Sequence, residues 1–76
     1  MNNKRRTYLE QAISFLNKAA EIVESVKDDE EESLDNTPEN LQCSDRYDRM
    51  EEVISNLEDT IENIESAVSN IESASE

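Results

Sequence analysis

A heptad repeat from Tyr47 to Ile71 narrows the folds that this chain can adopt. Apolar residues recur at alternating spacings of three and four residues along it, with Ile54, Ile61 and Val68 at the a positions and Met50, Leu57, Ile64 and Ile71 at the d positions. A 3-4 spacing kept over this length is typical of a long α-helix with one face packed against another helix. The repeat therefore predicts an architecture, but it does not indicate a biochemical activity.

The first third of the chain predicts another helix, whose apolar surface is wide. Helix 1 is expected from about residue 3 to about residue 32, and its first apolar seam, the inner seam, consists of Leu9, Ile13, Leu16, Ala20 and Val23. A second seam, the outer stripe, consists of Tyr8, Ala12, Phe15, Ala19, Ile22 and Val26. At about 100° per residue the two seams together cover about half of the helix circumference. One partner helix cannot cover both, so we predict that the outer stripe is an interface with another chain.

The segment between the two helical patterns is acidic. Residues 28–44 contain seven acidic residues and no basic residue, and Asp28–Glu32 form an unbroken acidic run. Because acids at the end of a helix oppose its dipole, we expect helix 1 to fray through this run. Thr37, Pro38 and Glu39 then follow the order of an N-cap, a first helical position and an acid in the first turn, which indicates a short helical turn.

The two helical patterns predict an all-α fold, an antiparallel two-helix hairpin that is coiled-coil-like. Helix 2 is expected over about residues 45–74, after a connector over about 33–44, so its length matches that of helix 1. The hairpin is a single domain over residues 1–76, and a chain this short is marginally stable alone. We predict that two copies pair through the outer stripe into an antiparallel four-helix bundle. Burial of the stripe in a foreign target protein, or in an ordinary core, is the alternative.

The charge of the chain restricts its partners. Twenty acidic and seven basic residues give a formal net charge of −13. This charge repels nucleic acid and anionic membranes and favours basic proteins. The candidate acidic surface consists of Glu51, Glu58, Asp59, Glu62, Glu65 and Glu72. Ion pairs across the hairpin are also expected, for example between Lys18 and Glu58–Glu65 or between Lys27 and Glu51.

Catalytic and metal-binding motifs are missing from the sequence. The chain contains no histidine, which excludes Ser–His–Asp and Cys–His arrangements, and no glycine, which excludes glycine-dependent phosphate loops. The acidic run lacks the alternating ligands and the glycine of a calcium loop. We therefore predict no catalytic residue, no cofactor, no metal site and no enzymatic activity.

The sequence predicts a cytoplasmic location. No stretch approaches the roughly 20 apolar residues that span a bilayer, and the basic start of the chain is not followed by an uninterrupted apolar segment. Cys43 is the single cysteine, so an intrachain disulfide cannot form and a reducing compartment is expected. A membrane is not expected among the partners.

One stretch resembles a protein family. The order Asp-Asn-Thr-Pro-Glu-Asn-Leu-Gln-Cys-Ser-Asp-Arg runs from Asp35 to Arg46 and is followed by Met50-Glu-Glu and the heptads. With the acidic run before it, this order resembles small acidic proteins of phages, prophages and mobile elements of Gram-positive, gut-type bacteria, over residues 28–72. Thr37 and Cys43 depart from the family's pattern. The resemblance implies a helical hairpin in a bacterial host cytoplasm, and it implies no settled activity.

Three functions are compatible with these features. The leading hypothesis is a non-enzymatic interaction module whose acidic surface occupies, and inhibits, a basic host protein such as a nucleic-acid-binding or defence protein. The second is a structural coiled-coil protein that acts through self-association. The third is a small-nucleotide sponge, whose phosphate-binding cations would be Lys4, Arg5, Arg6, Arg46 and Arg49. These cations stand at opposite ends of the predicted hairpin, which weakens the third hypothesis unless a dimer brings them together.

Overall fold

Two long antiparallel helices make up the protein. The structure, a computed structural model, describes residues 1–41 and 44–76. Helix α1 spans Asn3–Asp35, a 3-10 turn spans Glu39–Leu41, and helix α2 spans Asp45–Ala74. The molecule measures 60 × 15 × 12 Å. The predicted all-α, antiparallel two-helix hairpin is confirmed.

The register of α1 against α2 is visible at both ends of the hairpin. At the open end, Arg6 Nε donates a hydrogen bond of 3.1 Å to the carbonyl oxygen of Ser75. At the closed end, Ser33 of α1 and Met50 of α2 line the same depression. Between these ends, the inner seam of α1 and the a and d residues of α2 are shielded from water, so the two seams face each other.

The core is a single seam between the helices. Ile54, in the heptads of α2, is the buried apolar residue of the described ranges, with 8% of its surface exposed. The inner seam of α1 and the other a and d residues from Met50 to Ile71 are half-buried. Two helices shield each other along one line only, so a lone hairpin leaves its seam partly open to water.

Helix α1 continues through the acidic run, contrary to the expectation that it frays there, and ends at Asp35. Lys27 Nζ lies 3.8 Å from Glu31 Oε1, and this i,i+4 pair offsets part of the repulsion within the run. Beyond the last turn, the backbone N–H of Asn36 donates to the carbonyl oxygen of Glu32 over 3.0 Å. Satisfying a terminal carbonyl in this way stabilises the end of the helix despite the unfavourable charge.

Hydrogen bonds close the turn that follows α1 and cap the start of α2. The N–H of Leu41 donates to the carbonyl oxygen of Pro38 over 2.9 Å and closes the 3-10 turn. The hydroxyl oxygen of Ser44 accepts from the N–H of Tyr47 over 3.2 Å, which caps α2. Cys43, the lone cysteine, and its neighbour Gln42 lie outside the described residues.

Candidate protein-interaction site

The outer stripe lies along α1, about 100° around the helix from the inner seam that packs on α2. Phe15 is 75% exposed, Tyr8 60% and Ile22 55%. Val26 is also exposed, whereas the small side chains between these residues are half-buried. The structure thus leaves the large side chains of the predicted interface in water.

The hairpin exposes more surface than a compact protein of its mass. Its accessible surface is 5792 Å², whereas a compact monomer of 8.7 kDa exposes about 4,700 Å². Its radius of gyration is 17.4 Å, against about 11 Å for a compact domain of this length. The excess of about 1,100 Å² is larger than the roughly 800 Å² that each partner contributes to an interface of standard size.

The second candidate surface is carried by α2. All six residues of the predicted acidic surface are exposed: Glu51, Glu58, Asp59, Glu62, Glu65 and Glu72. Four of them, spaced seven residues apart at the e positions of the heptads, form a line beside the seam, the acidic row: Glu51, Glu58, Glu65 and Glu72. None of the six takes part in an ion pair with another described residue. Their charges are therefore available to a partner.

Helix α1 adds acids to the same side of the hairpin. The inner seam takes the a and d positions of α1, with Ile13 at a and Leu16 at d, so Glu10 takes an e position. In an antiparallel helix pair, the e positions of both helices lie on one side of the seam and the g positions on the other. Glu10 of α1 and Glu72 of α2 line one depression, and Glu24 and Glu31 follow Glu10 at multiples of seven residues. The outer stripe occupies the opposite side, so the hairpin has one acidic and one apolar side.

The ion pairs of the described residues join neighbours on one helix. They are Lys18–Glu21 at 3.7 Å, Lys27–Glu31 at 3.8 Å and Arg49–Glu52 at 3.2 Å. The expected ion pairs of Lys18 and Lys27 across the hairpin are not formed. Residues three and four apart on a helix are already within reach of each other, and Lys18 projects away from the seam.

The basic residues of the nucleotide hypothesis lie at the two ends of the hairpin: Lys4, Arg5 and Arg6 at the open end, and Arg46 and Arg49 at the closed end. Arg6 lines a depression of about 270 Å³ at the open end, together with Glu72 and Glu76. Arg46 lines a depression of about 470 Å³ at the closed end, together with Tyr47. Because the molecule is 60 Å long, the cations of the two ends cannot bind one phosphate group within a single chain.

The described ranges, residues 1–41 and 44–76, show neither a metal-binding cluster nor a membrane-spanning helix. They contain no group of three or more Cys, Asp or Glu side chains placed to hold a metal ion. Within the same ranges, no helix combines the length and the apolar character needed to cross a bilayer. Comparisons with protein-family models, with curated proteins and with solved structures found no match to this chain. The apolar stripe and the acidic row are the features from which a function can be inferred.

Proposed function

We propose that this chain is a non-enzymatic protein-interaction module that self-associates through the outer stripe and presents the acidic row to a basic protein. The observation that carries the proposal is the exposure of Phe15, 75%, at the middle of a continuous apolar stripe. Aromatic side chains dominate interface energetics, and contiguous exposed apolar surface marks interaction sites. A hairpin with one seam has no means of its own to shelter this stripe.

The acidic row supports a basic partner. Its four glutamates repeat every seven residues along one edge of α2, and glutamates of α1 lie on the same side. Charges arranged in this way raise the rate of association with a basic protein and discriminate against acidic ones. From the charge and the family resemblance, we propose a nucleic-acid-binding or defence protein of a bacterial host as that partner, inhibited by occupation of its basic site.

A pull-down from host lysate at low and at high salt tests the basic partner. We expect a basic protein to be captured at low salt and lost at high salt, because exposed charges are screened within about 10 Å at 0.1 M ionic strength. The variant Glu58→Gln/Glu65→Gln should capture less of it. The control Asp35→Asn/Glu39→Gln removes the same charge near the turn and should capture as much as the wild type.

Other results of the pull-down would reject part of the proposal. If both double variants capture equally little, net charge rather than the acidic row is responsible. If the bait alone is recovered, the basic partner is wrong, and the structural self-assembling protein becomes the better account. The exposed stripe favours that second function, since self-association alone would bury it.

A further inference from the structure

The outer stripe is symmetric about its own midpoint, which is the level of Asn17. Its members pair off at two, five and nine residues on either side: Phe15 with Ala19, Ala12 with Ile22, and Tyr8 with Val26. Reversing the helix direction about this level therefore places every stripe position on another stripe position. We infer that the stripe binds α1 of a second copy, packed antiparallel with a two-fold axis at the level of Asn17. The inference rests on the proposed self-association and adds its direction and register.

The inner layers of this interface combine large and small side chains, whereas the outer layer sets Tyr8 against Val26. The central layer sets Phe15 of one copy against Ala19 of the other, and the next sets Ile22 against Ala12. Large residues opposite small ones interdigitate without voids, as packing at protein density requires. Asn17 itself points away from the stripe, since it lies about 180° around the helix from the stripe's centre. No polar side chain of the stripe's own span is trapped between the helices.

Charges at the ends of the stripe complement each other in the same register. Arg5 and Asp29 continue the 3-4 spacing outward, and each lies twelve residues from Asn17. Antiparallel packing sets Arg5 of one copy against Asp29 of the other, once at each end of the interface. Both residues are exposed, and neither forms an ion pair with another described residue. Each chain thus holds an unused cation and an unused anion at matching distances from the axis.

Other arrangements bring like charges or unpaired charges together. Parallel packing in register would set Arg5 against Arg5 and Asp29 against Asp29. Antiparallel packing shifted by one heptad would set Arg5 against Ile22 in one direction, or Asp29 against Ala12 in the other. A charge set against a like charge is repelled, and a charge set against an apolar side chain loses water without gaining a partner, so these arrangements are disfavoured.

Lys18 is the one cation beside the proposed axis. The two-fold symmetry brings it near Lys18 of the other copy. Its ammonium group already lies 3.7 Å from the carboxylate of Glu21 on the same helix. That pair offsets the repulsion between the two copies. The charges at the ends of the interface therefore decide its direction.

Charge reversal tests the register by sedimentation equilibrium. The wild-type chain should sediment as a dimer, with twice the 8.7 kDa of one chain. Arg5→Glu and Asp29→Arg should each weaken the dimer about tenfold, because each creates a like-charge layer at both ends. The double variant Arg5→Glu/Asp29→Arg restores both opposite-charge layers and should return to the wild-type affinity. The control Arg49→Glu makes the same charge change on α2, away from the stripe, and should leave the affinity unchanged.

The outcomes separate this inference from the proposed self-association. A wild-type chain that stays monomeric at high micromolar concentration overturns both. A dimer that is indifferent to Arg5→Glu and Asp29→Arg, or that the double variant fails to restore, overturns the register alone. Circular dichroism of each variant shows whether its helices remain intact, so that a loss of affinity is not a loss of folding.

Discussion

Arg6 Nε and the carbonyl oxygen of Ser75 lie 3.1 Å apart, so the first turn of α1 is tied to the residue that follows α2. A cation at a helix C-terminus interacts favourably with the exposed carbonyls and with the helix dipole. The bond spans 69 positions of sequence. It therefore closes the open end of the hairpin, where no covalent connection exists.

Replacing Arg6 should loosen that end. We expect Arg6→Ala to lower the free energy of unfolding by about 1 kcal/mol, because it removes one partly exposed, charge-assisted hydrogen bond. Urea denaturation followed by circular dichroism measures the change. The control Arg49→Ala removes an exposed arginine whose ion pair among the described residues is with Glu52 of the same helix, and it should cost about 0.5 kcal/mol or less. Equal losses in the two variants would mean that the contact with Ser75 contributes nothing.

The seam should be most sensitive at Ile54. This residue is 8% exposed, so Ile54→Ala leaves a cavity and should lower the free energy of unfolding by about 2–4 kcal/mol. The same substitution at Ile64, which is half-buried, should cost less because water can fill the space. Denaturation of both variants at one protein concentration checks the order, and an equal or larger loss at Ile64 would contradict it.

Heptad spacing is sufficient to predict the fold, because a sustained 3-4 pattern places the apolar residues on one face of a helix, and that face is buried by packing against another helix. The range of α2, Asp45–Ala74, follows directly from the pattern and from Ser44. The sequence does not predict that α1 continues to Asp35, because this end is stabilised by one ion pair and one backbone hydrogen bond. A count of the acidic residues in the run reveals neither contact. The hydrogen bond from Arg6 to Ser75 is likewise not predictable from the sequence, because it depends on the conformation of one side chain.

The candidate surfaces were predictable to different degrees. The position of the outer stripe follows from the geometry of an α-helix, in which successive residues are about 100° apart. This geometry is the same for every helical sequence, so the stripe can be predicted from the sequence alone. The ion pairs across the hairpin did not form, because Lys18 has a nearer partner in Glu21 on its own helix. Periodicity thus predicts which residues share a face, while the choice among nearby charges depends on geometry that the sequence does not specify.

An acidic side chain at the middle of the outer stripe should prevent self-association. We expect Phe15→Asp to yield a monomer with most of its helix content retained, because the inner seam between α1 and α2 is untouched. Asn17→Asp is a matched control, since it adds the same charge on the opposite side of the same helix. Sedimentation equilibrium and circular dichroism measure the two properties. A dimer in both variants would place the interface elsewhere.

Cysteine cross-linking should report the direction of packing. In a Cys43→Ser background, chains with Ala12→Cys mixed with chains with Ile22→Cys should form a disulfide on mild oxidation. These positions face each other across the proposed interface, and a disulfide needs Cβ atoms about 4 Å apart. Neither chain should cross-link to itself, because antiparallel packing separates identical positions by ten residues, about 15 Å along the helix.

The pattern of products discriminates between the possible arrangements. Parallel packing would give the opposite result, in which each chain cross-links to itself and the mixture gives no new product. Mixing Ala12→Cys with Ser14→Cys is the control, because Ser14 is exposed and lies off the stripe. Cross-linking of that pair at a comparable rate would indicate random collisions. Only a product specific to the Ala12 and Ile22 positions agrees with two chains packed antiparallel about a two-fold axis at Asn17.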